Sequence, residues 1–157
     1  MKPSIYIETS IIGYLTARVS KLLVAASNQQ VTREWWYDHR QKFELFVSRA
    51  VVEECASGDE TAAAERLEFI AGISELDITA AVLELAGVLR SKVPLPEKAQ
   101  IDAIHVAAAA LNGIEYLLTW NCKHIANASL RPKIEKVCRE SGLEPPTICT
   151  PAELLEM

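Results

Sequence analysis

The stretch Ser-Ile-Tyr-Ile-Glu-Thr-Ser, residues 4–10, joins a strand to the start of a helix without a linker. Its first part, Ser4–Glu8, is rich in β-branched and aromatic side chains, which favour a strand. The acid Glu8 stands directly before Thr9 and Ser10, which are preferred residues at the N-terminus of a helix. A strand that passes directly into a helix is typical of a βα unit, so this stretch predicts an α/β fold.

Strand and helix patterns alternate along the rest of the 157-residue chain. Further strands are predicted at Phe43–Val47, Leu76–Ile78, Glu115–Thr119 and Thr147–Cys149, with helical patterns between them. This alternation predicts right-handed βαβ units and a parallel sheet with both faces covered. The length lies within the range of one domain, so residues 1–157 are predicted to form a single domain.

Two helices are predicted between the first and second strands, at Lys21–Asn28 and Thr32–Lys42, with Thr32 as the N-cap of the second. The second helix contains the adjacent pair Trp35 and Trp36. Such a pair could stack on RNA bases. Burial in the core or at a protein interface is the favoured interpretation.

Charge and hydropathy exclude several classes of protein. The net charge of −5 does not indicate a strongly basic nucleic-acid binder. No apolar run reaches the roughly 20 residues of a membrane helix, and the N-terminus lacks the pattern of a signal peptide. A cytoplasmic protein with no membrane segment is therefore predicted.

Motif patterns exclude other kinds of site. The glycine-rich loops of P-loop and dinucleotide-binding proteins are absent. The four cysteines, Cys55, Cys122, Cys138 and Cys149, form no Cys-x-x-Cys pair. They are therefore predicted to be small, partly buried apolar side chains rather than zinc ligands or a redox pair.

Polar side chains follow several of the predicted strands. Glu8 ends the first strand, Glu53 and Glu54 lie on the helix after the second, Asp102 lies on an alanine-rich helix, and Asn121 follows the next strand. Ligands of open parallel sheets bind outside the carboxyl ends of the strands. Clustered carboxylates repel one another, and hard oxygen ligands suit Mg²⁺ or Mn²⁺. Such a metal activates water and stabilises charge in phosphoryl transfer.

Each of these residues also has a purely structural interpretation. Glu8 would interact favourably with the positive N-terminus of the following helix. Glu53 and Glu54 point about 100° apart on a helix, so at least one of them is expected to be a surface charge. Asp102 could belong to a polar stripe on its helix, and Asn121 could be a turn or capping residue.

Two histidines lie close in sequence to these residues. His105 follows Asp102 by three positions, which places both on one face of the helix. It is either a partner of the site or an ordinary interior histidine. His124 follows Asn121 in a short polar loop and has the same two alternatives.

Four segments taken together resemble the motifs of PIN domains of the VapC-like toxin family, the nuclease half of many prokaryotic type II toxin–antitoxin pairs. In chain order they are Ile-Tyr-Ile-Glu-Thr-Ser-Ile-Ile (5–12), Ser-Arg-Ala-Val-Val-Glu-Glu-Cys-Ala-Ser-Gly (48–58), Asp-Ala-Ile-His-Val-Ala-Ala-Ala (102–109) and Leu-Thr-Trp-Asn (118–121). Their order and spacing and the total length agree with the family, and the resemblance spans nearly the whole chain.

The resemblance implies a three-layer α/β/α PIN-like fold with a short central parallel sheet, and RNA cleavage that depends on Mg²⁺ or Mn²⁺. By position, Glu8, Glu54 and Asp102 would be the acidic metal ligands, and Asn121 would take the place of a fourth acid in the catalytic set. Glu54 is preferred to Glu53 because it keeps the family distance from Ser48. The supporting residues would be Thr9, Ser10, Thr119 and His105.

Two departures from the family pattern bear on activity. Glu8 stands where Asp is usual, and Asn121 stands where Asp is usual. The four positions therefore carry a charge of at most −3, so one metal is expected to bind well and a second weakly or only with substrate. The segment Arg18–Lys42 is also longer and more aromatic than usual, and it would either line the RNA groove or form a dimer or antitoxin surface.

The function that the resemblance implies is that of a metal-dependent endoribonuclease, the toxin of a type II toxin–antitoxin pair. Its expected partners are an RNA substrate, a cognate antitoxin and a second copy of the chain. The alternative is a catalytically weakened PIN-fold module that binds RNA or protein. A structure-specific DNA nuclease is disfavoured because the chain is small and has no helical-arch insert.

Overall fold

A computed structural model describes residues 1–157. The strands are β1 Ser4–Ile7, β2 Glu44–Ser48, β3 Ser74–Leu76, β4 Tyr116–Leu118 and β5 Thr147–Cys149. The α-helices are α1 Thr9–Thr16, α2 Leu23–Glu34, α3 Arg49–Cys55, α4 Glu60–Ile70, α5 Ala80–Lys92, α6 Gln100–Leu111 and α7 Arg131–Glu140. Short 3₁₀ turns lie at Arg40–Lys42, Glu97–Ala99 and Pro151–Leu154. None of the helices has the length and apolarity needed to cross a membrane.

The five strands form one parallel sheet in the order β3-β2-β1-β4-β5. Ile5, Tyr6 and Ile7 in the central strand are each 0% exposed, although successive strand side chains point to opposite faces. Both faces of the sheet are therefore covered, and the predicted α/β/α architecture is confirmed. That the whole chain forms one domain stays a prediction.

The strand order reverses between β1 and β4. The chain passes from β1 outward to β2 and β3, returns to β4 beside β1, and continues outward to β5. In open parallel sheets such a reversal leaves a crevice outside the carboxyl ends of the two strands, where ligands bind. The first residues beyond β1 and β4 are Glu8 and Thr119, so these two side chains mark the crevice.

Helices α4 and α5 begin at the residues that local sequence indicates. The Asp59 carboxylate accepts a hydrogen bond from the Ala62 N–H at 3.0 Å, and the Thr79 hydroxyl accepts one from the Val82 N–H at 3.3 Å. Gly58, directly before the first cap, has a φ of +82°, a backbone conformation that favours glycine. These caps fix where the two helices start.

The prediction of two helices between residues 21 and 42 is wrong. Helix α2 runs without a break into a π-helical turn at Trp35–His39, followed by the 3₁₀ turn. Thr32 is not an N-cap: it is 0% exposed inside α2, and its hydroxyl donates to the Asn28 carbonyl at 2.6 Å. A threonine within a helix can satisfy its hydroxyl in this way, so its capping preference alone did not determine a boundary.

Trp35 and Trp36 belong to the core, with 0% and 4% of their surface exposed. The Trp35 ring centroid lies 5.7 Å from that of Phe43, and the Trp36 centroid lies 5.8 Å from that of Phe69. The Arg40 guanidinium lies 4.8 Å from the centre of the Trp36 ring. The interpretation of this pair as core packing is confirmed, because neither face is open to an RNA base.

Three of the four cysteines are buried, and all four are free thiols. Burial raises the pKa of Cys55 and of Cys138 to about 11, and that of Cys149 to about 12. These three side chains therefore remain protonated near neutral pH and act as small apolar groups, as predicted. Cys122 is exposed.

Candidate active site

Glu8 occupies the crevice between β1 and β4 and is only 4% exposed. It is the N-cap of α1, where its carboxylate accepts a hydrogen bond from the Ser10 N–H at 3.2 Å. The hydroxyls of Ser10 and Thr119 both donate to its Oε1 atom. Glu8 therefore caps a helix and also presents a buried carboxylate, which uncharged donors hold in a fixed orientation.

Glu54 reaches the same crevice from α3, which starts directly after β2, the neighbour of β1. Its Oε1 atom accepts a 2.6 Å hydrogen bond from the Thr9 hydroxyl. Glu53 turns outward instead: its side chain is 67% exposed and lies 3.4 Å from Arg49. The structure therefore brings Glu54, and not Glu53, to the acid at the end of β1.

His105 connects this site to the interior through a chain of hydrogen bonds. It is 0% exposed, its Nε2 atom lies 2.6 Å from Glu54 Oε1, and its Nδ1 atom lies 2.7 Å from the Tyr6 hydroxyl. The Tyr6 hydroxyl in turn lies 2.6 Å from the Ser48 hydroxyl. Every polar atom in this buried chain has a partner, as interior polar groups require.

The charges around His105 determine how it is protonated. An ionised carboxylate only accepts hydrogen bonds, so the Nε2 atom of His105 donates to Glu54. Burial by itself lowers the pKa of His105, but the hydrogen bond to Glu54 and the surrounding carboxylates raise it above its ordinary value. Burial raises the pKa of Glu54, but hydrogen bonds from His105 and Thr9 and the charge of His105 bring it below its usual range. Both shifts favour an imidazolium paired with a carboxylate.

Asp102 lies three residues before His105 on α6 and has a different partner. Its Oδ2 atom lies 2.9 Å from His124 Nδ1. The His124 N–H donates to the side-chain oxygen of Asn121 at 2.9 Å. The Asn121 backbone carbonyl accepts two further bonds, from the amides of Ile125 and Ala126. Asn121 therefore caps the loop after β4, and through His124 that loop is tied to Asp102.

The donor atoms fit a hard divalent cation. Ligand atoms of Glu8, Glu54 and His105 lie within 4.8 Å of one another. Since the Nε2 atom of His105 is engaged with Glu54, the available donors are oxygens. The Oε2 atom of Glu54 and the Oδ1 atom of Asp102 accept no hydrogen bond from the protein. Asp102 lies outside the group of three, and the free Glu54 oxygen beside the buried Glu8 carboxylate is the kind of ligand that Mg²⁺ and Mn²⁺ require.

The fold is similar to that of two solved structures. The structure of Mycobacterium tuberculosis VapC20, a toxin that cleaves the sarcin–ricin loop, matches with a TM-score of 0.57 and 17% identity, over 73% of this chain and 87% of that one. A chain of the VapBC2 complex from Rickettsia felis, bound to a promoter DNA fragment, matches with a TM-score of 0.53 and 13% identity, over 93% and 97%. This chain has a VapC-like PIN fold.

The VapC-like fold expected from the four sequence motifs is thus confirmed at the level of structure. No protein-family model matches the sequence, and no curated protein matches it. At 17% and 13% identity the likeness concerns the fold and not the roles of individual residues.

Sequence reasoning missed several contacts of this site. It gave no role to Tyr6, which it treated only as a strand residue, and it did not pair His124 with Asp102. A phenol between two isoleucines on a buried strand is the one local sign that a polar partner lies opposite it. The identity of that partner depends on contacts between distant segments.

Proposed function

We propose that this chain is a metal-dependent endoribonuclease and the toxin of a type II toxin–antitoxin pair. One observation carries the proposal: Glu8 and Glu54 converge at the strand-order reversal of a VapC-like sheet, and Asp102 lies one helical turn before His105, which contacts Glu54. Acidic oxygen ligands in the crevice of a parallel sheet are suited to metal-assisted phosphodiester hydrolysis.

We propose Glu8, Glu54 and Asp102 as the residues that hold Mg²⁺ or Mn²⁺. Such an ion would activate water and stabilise the charge that develops on the phosphate. The catalytic set proposed from the sequence also includes Asn121, whose neutral side chain adds no charge.

The supporting residues orient the carboxylates. Ser10 and Thr119 hold Glu8 through their hydroxyls. Thr9 and His105 both donate to Glu54. Two donors on one carboxylate oxygen fix the direction of the other oxygen, which stays free. Neighbouring hydrogen bonds orient the ligands of metal sites in this way. His105 acts in this scheme as a positioning residue and not as a ligand, because its Nε2 proton is used by Glu54.

Exposed basic side chains would bind the RNA backbone. Lys123 is exposed in the loop after β4 and forms no ion pair with the protein. Arg18 and Lys21, in the connection after α1, are exposed and likewise free of ion pairs. Contacts of this kind supply affinity for phosphates without reading the base sequence.

We propose a cognate antitoxin, a homodimer and a cytoplasmic location as the biological setting. The similarity to a chain of a VapBC complex supports the antitoxin.

The alternative of a catalytically weakened RNA- or protein-binding module rests on one observation. Asn121 is neutral, and its side-chain oxygen is engaged by the His124 N–H at 2.9 Å. A site without a fourth charge binds metal more weakly. Cleavage of bound RNA separates the two functions, because only the nuclease cleaves it.

The test compares two adjacent glutamates, Glu54→Gln and Glu53→Gln. Mn²⁺ binding is measured by calorimetry. RNA cleavage is measured on a mixture of structured and single-stranded RNAs. We expect Glu54→Gln to lose most of the Mn²⁺ binding and most of the RNA cleavage. Glu53→Gln should match the parent protein, because Glu53 is exposed at the surface. Asp102→Ala should behave like Glu54→Gln.

Equal cleavage by the parent protein and by Glu54→Gln would contradict the nuclease. Binding of Mn²⁺ and RNA by the parent protein without cleavage would support the weakened module instead.

A further inference from the structure

Tyr14 and Trp120 form an aromatic pair at the edge of the crevice. Their ring centroids lie 5.6 Å apart with planes inclined at 43°. Both residues are partly exposed, whereas Trp35 and Trp36 are buried. Among the tryptophans of this chain, only Trp120 therefore offers part of its ring to a ligand.

This pair is connected directly to the candidate metal ligands. The Trp120 N–H donates to the Ser10 hydroxyl at 2.8 Å, and that hydroxyl donates to Glu8. Tyr14 follows Ser10 by four positions on α1, so it lies on the same helix face about 6 Å further along the axis. The rings therefore flank the acidic site at a distance comparable to the size of one nucleotide.

The Trp120 ring is held in place before any ligand arrives. Its Nε1–H donates to the Thr32 hydroxyl at 2.7 Å, and that hydroxyl, fully buried in α2, donates to the Asn28 carbonyl. Because the indole N–H is satisfied within the protein, the part of the ring left exposed is apolar. A ring fixed in this way loses little conformational entropy when it stacks on a ligand.

The groups around Tyr14 and Trp120 determine which kind of ligand could stack on their rings. The exposed ring surface is apolar and lies next to the Glu8 carboxylate, so by itself it does not attract an anion or an acidic peptide. It suits the planar, uncharged part of a molecule whose phosphate lies at the acidic site with its metal. Aromatic side chains next to a backbone-binding groove bind single-stranded nucleic acid by stacking on its bases.

We propose that Tyr14 and Trp120 form a stacking platform for the nucleobase next to the scissile phosphate. This inference rests on the proposed ribonuclease function and adds a base-binding subsite to it. Single-stranded RNA is the predicted form of the substrate at this point, because a base in a duplex has no free face to stack on the rings.

The test measures binding of a mixed-sequence hexaribonucleotide by fluorescence anisotropy, with Ca²⁺ in place of Mn²⁺ to prevent cleavage. The same measurement uses a hexamer that has the same phosphates but abasic sugars. Trp120→Leu should weaken binding of the normal hexamer about five- to one-hundred-fold. Trp120→Phe, which keeps an aromatic face, should remain within about threefold of the parent protein. The control Trp35→Phe, in the core, should not alter affinity.

The abasic hexamer separates stacking from a structural effect. We expect the parent protein and Trp120→Leu to bind it equally. Equal binding of the normal hexamer by both proteins would overturn the inference, and so would an equal loss on both hexamers, since the ring would then only shape the loop. If the parent protein still cleaves RNA with Mn²⁺ when either of these two results is obtained, the proposed ribonuclease function stands and only the stacking platform is wrong. A parent protein that neither binds nor cleaves RNA would overturn both.

Discussion

His105 donates a 2.6 Å hydrogen bond from Nε2 to Oε1 of Glu54, so a fully buried imidazole holds one of the candidate metal-binding carboxylates. The opposite ring nitrogen lies 2.7 Å from the Tyr6 hydroxyl on the central strand. The orientation of a residue at the edge of the crevice therefore depends on a polar chain that begins in the middle of the sheet.

Tyr6→Phe should destabilise the protein by about 1–3 kcal/mol, because it leaves buried polar groups of His105 and Ser48 without a partner. Urea unfolding measures the loss. The matched control is Tyr116→Phe on the neighbouring strand, whose hydroxyl forms no hydrogen bond and whose ring packs edge-on against Phe43. That change should remain within about 0.5 kcal/mol of the parent protein. Equal stability of both variants would mean that the polar chain contributes nothing.

The stability of the metal-free protein should depend on pH through Glu54 and His105. Folding raises the pKa of His105 above 6.5. The contribution of His105 to stability is therefore full below pH 6.5 and is lost as the pH rises through the pKa of the folded state. Folding lowers the pKa of Glu54 below 4.5. The contribution of Glu54 to stability is therefore full above pH 4.5 and is lost as the pH falls through the pKa of the folded state.

The measurement is the difference in unfolding free energy between the parent protein and Glu54→Gln across this range, with EDTA present. We expect the difference to be greatest between about pH 4.5 and 6.5, where Glu54 and His105 are charged in both the folded and the unfolded protein. Glu53→Gln, at the exposed neighbouring position, should give only a small difference. A flat profile for Glu54→Gln would show that the pair is not charged.

Asn121→Asp should tighten Mn²⁺ binding by at least about tenfold, because it adds one negative charge to a partly buried site. The fold should tolerate the change, since a carboxylate accepts the His124 N–H as well as the amide oxygen does. Calorimetry gives the affinity. The control is Asn127→Asp in the same loop, where the side-chain oxygen accepts from Ser129. If both variants bind Mn²⁺ equally well, position 121 does not face the metal.

Iodoacetamide at pH 8 should modify Cys122 alone in the native protein, because the thiolate is the reactive form and the other three thiols are buried with a raised pKa. Mass spectrometry should then show one adduct, and four after unfolding in urea. Cys122→Ser should show none under native conditions. Modification of Cys55, Cys138 or Cys149 in the folded protein would show that these thiols are accessible and not buried.

The sequence by itself determined the βα start at residues 4–10, the caps Asp59 and Thr79, and the alternation of strands with helices. These features depend on interactions within one or two turns of the chain, which residue type and spacing specify. The position of Glu8 at the end of a buried strand also followed from this pattern, as did its place at the carboxyl edge of the sheet.

Only the tertiary structure decided which polar groups meet. The hydrogen bond between Tyr6 and His105 joins residues 99 positions apart, and that between His105 and Glu54 spans 51 positions. The tertiary structure also buried Trp35 and left Trp120 partly exposed, although both are aromatic residues beside polar ones in the sequence. The reason is that such contacts depend on strand order and helix packing, which no local pattern of residues specifies.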